Sequence, residues 1–277
     1  MKKSPFHIIL IIIFLGTSVM NAQTNESLSP EFGGRIAARL NKKIVNRLHV
    51  TLEEEIRLDN NFTKFDRFHT TLFLNYKLSE NIKLGLGYAL ITPYSSTSES
   101  FKNVRHRLML DAKYTMQFGY WSFSVKERLQ MTHRTGDYNV YQNPANAITL
   151  KSRLKAQYKG LGKFSPYVYF ELRQYLNAPV ISAAYDGTNY YTIEDLSEYG
   201  SPGWFLNGYK GSYINRYRGS IGVDIRLNRN NILNFYILTD YVSDKVVDAN
   251  SEGTKLKSYT KETGFVGWFG AGYEYTF

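Results

Sequence analysis

Leu48-His49-Val50-Thr51-Leu52-Glu53-Glu54-Glu55-Ile56-Arg57-Leu58 alternates almost residue by residue between apolar and polar side chains. Successive side chains of an extended chain point to opposite faces, so Leu48, Val50, Leu52, Ile56 and Leu58 form one apolar surface. His49, Thr51, Glu53, Glu55 and Arg57 form the other, which is charged. A helical period would scatter those charges around the apolar stripe, so the stretch reads as a strand. The pattern repeats outward along the chain. Phe68, Leu72, Leu74, Tyr76 and Leu78 oppose Arg67, His69, Thr71, Asn75 and Lys77. Leu108, Leu110, Ala112, Tyr114 and Met116 oppose Arg105, Arg107, Asp111, Lys113 and Thr115. Ile148, Leu150, Leu154, Ala156 and Tyr158 oppose Thr149, Lys151, Arg153, Lys155 and Gln157.

The same reading along the whole chain places strands over 32–41, 45–59, 65–79, 81–93, 104–118, 121–135, 147–159, 165–178, 213–228, 231–246 and 262–277. Strands of soluble domains run to about five or six residues, whereas a tilted membrane-crossing strand needs about ten. Tight turns are expected at Asn41-Lys42-Lys43, Ser79-Glu80-Asn81, Phe118-Gly119-Tyr120, Gly160-Leu161-Gly162 and Asn228-Arg229-Asn230. Between them lie the longer polar loops 94–103, 136–146, 179–212 and 247–261. Short turns at one end and long loops at the other are the layout of an outer-membrane barrel. The fold expected is therefore all-β: an antiparallel transmembrane β-barrel of about twelve strands, within roughly ten to fourteen, with short periplasmic turns and long extracellular loops. The segments found are odd in number: either residues 23–31 form an ascending strand or thread the lumen, or a strand is merged or missed elsewhere, and Asn189–Asp195 is a further place for strand structure.

Composition fits this fold. Tyr occurs 23 times and Phe 17 times while the mean hydropathy is −0.36. Tyr88, Tyr120, Trp121, Tyr158, Phe164, Tyr273 and Tyr275 fall near expected strand ends, where amphipathic rings settle at the lipid–water interfaces. Lys2 and Lys3, the apolar run His7–Leu15 and the small or polar stretch Gly16–Ala22 have the three-part layout of a secretory signal cut after Ala22. Residues 1–22 are thus expected to be removed, leaving 23–277 as one barrel domain exported to the outer membrane. There is no cysteine, which excludes disulfides and an N-terminal lipid-modified Cys. The final series Phe265, Gly267, Phe269, Ala271, Tyr273, Tyr275 and Phe277 resembles the C-terminal signal read by the outer-membrane assembly machinery. The partners expected are that machinery, through the strand ending at Phe277, and outer-membrane lipid.

Leu52-Glu53-Glu54-Glu55-Ile56-Arg57, Arg105-His106-Arg107-Leu108, Lys126-Glu127-Arg128-Leu129-Gln130 and Asn215-Arg216-Tyr217-Arg218 resemble the hallmarks of the DUF2490 family of uncharacterised barrel proteins. The resemblance extends over nearly all of 23–277. It implies a single-domain outer-membrane barrel of a Gram-negative bacterium, and it brings no activity or catalytic residue with it.

The formal net charge is +10. With the apolar face toward lipid, the inward face carries the bases Arg35, Arg39, Arg57, Arg67, Arg105, Arg107, Lys126, Arg128, Lys151, Arg153, Lys155, Arg173, Arg216, Arg218 and Arg226. The inward acids are fewer: Glu53, Glu55, Asp111, Glu171, Asp224, Asp240 and Glu274. Such an interior attracts anions and repels cations, which points to a narrow porin-like barrel for a small anionic solute. The alternative is a plugged barrel, its interior filled by ion-paired side chains, acting through its long loops. Nucleic acid is not an expected partner, because the bases are enclosed and periodic rather than gathered on an accessible surface.

A lipid-active enzyme is the least supported reading. No Gly-x-Ser-x-Gly elbow and no phosphate-cradling glycine loop occurs, and no catalytic, cofactor-binding or metal-binding residue is assigned. His49 and His69, inward on adjacent strands near Glu53 and Glu55, are the nearest thing to an acid–base pair or metal site. Ordinary membership of a polar interior is the commoner role for such residues. Glu53 and Glu55 beside Arg57 read as an ion-pair network, and Glu54 as an outward residue close to a membrane interface.

Overall fold

The structure, a computed structural model, describes residues 26–27, 31–136, 138–183, 204–251 and 256–277. The proposed signal segment and Asn189–Asp195 lie outside the described residues. Eleven long strands wind into a closed barrel: β1 (Glu31–Val45), β2 (Leu48–Asp59), β3 (Lys64–Lys77), β4 (Ile82–Ser95), β5 (Arg105–Phe118), β6 (Trp121–Arg134), β7 (Asn146–Tyr158), β8 (Phe164–Ala178), β9 (Gly211–Arg226), β10 (Asn231–Ala249) and β11 (Leu256–Thr276). Each neighbouring pair from β1 to β11 is antiparallel, as alternating turns and loops require.

The barrel departs from a purely antiparallel sheet at one seam. β11 closes on β1 in parallel, with Val266–Thr276 lying beside Glu31–Asn41. An odd set of up-and-down strands brings its first and last members to the seam running the same way, so closure has to be parallel. A two-residue strand, Glu26–Ser27, adds a further parallel pairing on β11, at Glu262 and Thr263. Short strands Ile181–Ala183 and Trp204–Leu206 form a small separate ribbon beyond β8.

Tight connections gather at one end. Gly119, with φ +57, completes the turn between β5 and β6. The first turn is not at Asn41-Lys42-Lys43 but at Asn46-Arg47, where Arg47 takes the left-handed conformation at φ 68. The polar run imitates a turn because it ends a strand where both faces leave the hydrocarbon. A bulge between Lys43 and Val45 accommodates the shift. β10 and β11 rise farther at the loop end than their alternation indicated, pairing up to Ala249 with Leu256.

The outer wall is apolar and exposed: Ile36, Leu52, Leu72, Leu86, Leu110, Leu154, Phe170, Ile221 and Ile237 all face away from the interior. Burying that wall requires lipid, since water would leave it bare. Two acids interrupt it. Glu54 accepts a hydrogen bond from Thr70 at 2.8 Å, and Glu127 accepts one from Ser152 at 2.6 Å. Glu54 sits halfway along β2 between Leu52 and Ile56, farther from a strand end than its expected interfacial place. Tyr120, Trp121, Phe123 and Tyr158 pack against one another near the turn end, with Trp121 and Tyr158 centroids 5.0 Å apart, and Tyr275 and Phe277 form a separate pair at 4.7 Å. Tyr88 is the exception among the expected ring positions. It lies mid-strand between Leu72 and Leu108, its hydroxyl 2.6 Å from His106 Nδ1.

Candidate functional site: the charged interior

The inward faces are best followed across the strands rather than along them. One line of register partners runs Lys77–Lys83–Lys113–Lys126–Arg153–Glu171–Arg218–Asp240, one residue from each of β3 to β10. It begins at the last residue of β3, beside a tight turn, and ends in the middle of β10. Because barrel strands are tilted, a line perpendicular to them climbs the wall. Its first five members are bases; its last three alternate acid, base, acid.

The upper part of the interior is a packed, paired neck. Arg218 Nε donates to Asp240 Oδ1 at 2.6 Å and its Nη2 to Oδ2 at 2.9 Å, a two-pronged contact with a carboxylate only 1% exposed. Two planar groups matched in this way bind more strongly and more specifically than a point charge would. Arg216 and Arg218 both reach Asp240, and Arg218 and Arg153 both reach Glu171. Glu55 accepts from Arg57 Nε at 2.6 Å, and Asn215 donates to Asp244 Oδ1 at 2.5 Å. Arg35, buried, lies over the Trp268 ring at 4.4 Å. Ile91, Met109, Leu238 and Val242 are buried inward apolar side chains among these charges. Alternation could not reveal them as core, because it marks a face and not its filling.

The lower part is different. Asp111 takes Arg128 at 2.7 Å and Lys126 at 2.6 Å, and Asp224 takes Lys155 at 3.9 Å. Arg39 bridges Glu53 and Glu274, the latter at 3.0 Å. Rings hold several of the cations from behind: Arg128 over Phe73 at 4.8 Å, Arg153 over Tyr169 at 4.4 Å and Lys155 over Tyr167 at 3.7 Å. Phe73 faces inward, among polar residues on the β3 face where no ring was expected.

All seven acids named from the sequence are therefore engaged: Glu53, Glu55, Asp111, Glu171, Asp224, Asp240 and Glu274 each make an ion pair. Of the named bases, Arg39, Arg57, Lys126, Arg128, Arg153, Lys155, Arg216 and Arg218 join them, while Arg67 pairs with Asp66. Arg35, Arg105, Arg107, Lys151, Arg173 and Arg226 make no ion pair among the described residues; Arg107 and Arg173 instead donate to Thr132 and Asn215. The charges that act most strongly on Arg107 are those of Arg57, Arg173, Arg67 and Arg128, all cations.

His49 and His69 do not form a joint site. His69 pairs in register with Glu55, its Nδ1 3.9 Å from Oε1, whereas His49 pairs with Asn75, six residues down β2 and so roughly 20 Å away at strand rise. Lys43, Lys77 and Lys83 surround His49 instead. These lysines, with Lys113, escaped the sequence-based choice of inward bases. Lys77 and Lys113 were visible on polar faces, and Lys83 could have been found from the alternation of Lys83, Gly85 and Gly87 with Leu84, Leu86 and Tyr88. At the loop end, Asn139 donates to Ala249 O at 2.6 Å, and Tyr209, whose phenol burial raises above its ordinary value, donates to Val140 O.

Residues 36–250 match the family described as "Protein of unknown function (DUF2490)". No curated protein matches the chain. Among solved structures, the chain is similar to a structure described as the NanC porin in a rhombohedral crystal form, at 11% identity and a TM-score of 0.41, covering 89% of this chain and 99% of that one. It is also similar to outer-membrane expressed OmpT of Vibrio cholerae, at 9% identity and a TM-score of 0.35, covering 82% of this chain and 64% of that one.

Proposed function

The chain belongs to the DUF2490 family, and from its interior we propose that it is a narrow, anion-favouring pore of a bacterial outer membrane. One observation carries this reading. Every inward acid named above is already paired, yet Arg105, Arg107, Lys151 and Arg173 keep no carboxylate partner among the described residues. Cations held in a low-dielectric wall draw anions in and turn cations back. Lumen side chains of this kind set selectivity in membrane barrels.

A second reading is favoured by a specific observation, the burial of Arg35, Glu55, Glu171, Arg218 and Asp240 together with apolar side chains in the neck. A neck so filled is a closed one, and the barrel then works through its loop end. Single-channel recording of the refolded full chain in a planar bilayer decides between the two. The pore reading expects stable steps whose reversal potential in a salt gradient is anion-selective. Arg105→Gln with Arg107→Gln is expected to move that potential toward zero. Silence from a barrel shown to be folded would sink the pore and leave the closed barrel.

A further inference from the structure

Like charges placed directly opposite each other across two strands destabilise a sheet. The register here nevertheless sets Lys77 against Lys83 and Lys83 against Lys113. None of the three makes an ion pair among the described residues, whereas their upper neighbours Lys126 and Arg153 do. At its lower end the row opens into a polar pocket at the turn end, of about 420 Å³, lined by Lys43, Asn46, Arg47, His49, Lys77, Ser79 and Glu80. Lys43 and Arg47 are exposed and likewise make no ion pair. Five cations thus converge on one mouth of the barrel, Glu80 being the acid on the pocket wall.

We propose that this cluster is a binding site for a small linear polyanion, a solute carrying several negative charges along a chain. Adjacent register partners stand about 5 Å apart, so the bases offer charge at short, regular intervals along a curved line. A compact ion with a single charge engages one or two of them. A linear ion with several charges engages the row at once, with no second loss of translational freedom for each added contact. Its charge also relieves the repulsion that the fold leaves uncompensated. The site lies below the packed neck and needs no open passage through it, so it stands whether or not the barrel conducts.

The test is calorimetric titration of the refolded full chain with linear tripolyphosphate, with orthophosphate as the comparison. The expected result is that tripolyphosphate binds at least tenfold more tightly than orthophosphate, with an affinity that falls steeply with salt. Lys77→Gln, Lys83→Gln and Lys113→Gln together should weaken it at least tenfold and flatten the salt dependence. A control, Lys163→Gln with Arg229→Gln, removes exposed turn-end charge outside the row and should leave binding within about twofold. Equal losses in both variants, or tripolyphosphate binding unchanged in the triple variant, would overturn the proposal. A silent bilayer with binding intact would defeat only the pore.

Discussion

The two ends of one register line behave as different materials. From Glu171 to Asp240 the side chains alternate in sign, are buried, and satisfy one another. From Lys77 to Lys113 they share one sign, are more exposed, and have no acid within ion-pair distance among the described residues. Strand direction, alternation and sheet are the same in both. The Glu171–Arg218–Asp240 stretch is matched within the chain, so its charges serve the fold; the turn-end row is not matched within the chain, so its charges are left to act on something else. Charge on an inward face is not by itself a functional signal, and the presence or absence of a partner across the strand separates the cases.

That contrast can be broken most forcefully at Asp240. Replacing it by Asn leaves half-buried Arg216 without its carboxylate and buried Arg218 with Glu171 alone, and loss of one partner of a buried pair costs about 3–5 kcal/mol. Urea unfolding of the barrel in lipid vesicles should show that loss. Arg218→Met with Asp240→Leu should recover most of it, because apolar side chains of similar volume replace a buried pair at little cost. A double variant as unstable as the single one would mean that the neck depends on geometry rather than on charge balance.

A smaller effect is expected from filling space in the interior. A Cβ on Gly270 would stand 2.0 Å from the Tyr236 ring. Gly270→Val therefore forces that ring inward against its neighbours, at about 1–3 kcal/mol for overpacking. An unchanged unfolding midpoint would show that Tyr236 has open lumen to move into. The smallest effect should have the opposite sign. Neutralising Lys77, Lys83 and Lys113 to Gln removes like-charged neighbours, so the barrel should become slightly more stable at low salt. The gain should vanish near 1 M salt, where screening acts over about 3 Å. A loss of stability would place the row with the neck as a structural element.

Much of this was legible in the residues. Period-two alternation located every long strand, because one face of each meets lipid and the other a polar interior. It named Glu171, Arg218 and Asp240 as inward, and the stretches around Arg57, Arg107, Arg128 and Arg218 carried the family resemblance. The turn at Asn46-Arg47 was misplaced because Lys42 and Lys43 sit at a strand end, where polar residues are tolerated in either conformation. Tyr88 was set near an interface because ring type says nothing of height along a strand.

Alternation is a local property, so the sequence by itself determined which segments are strands, which of their faces is charged and that the bases outnumber the acids. Register is set by the pairing of whole strands and by the closure of β11 on β1, which joins residues as distant as Tyr275 and Leu40. Only the tertiary structure could therefore decide that Arg218 meets Asp240 while Lys83 meets Lys113. A shift of two residues between strands keeps every face and exchanges every partner.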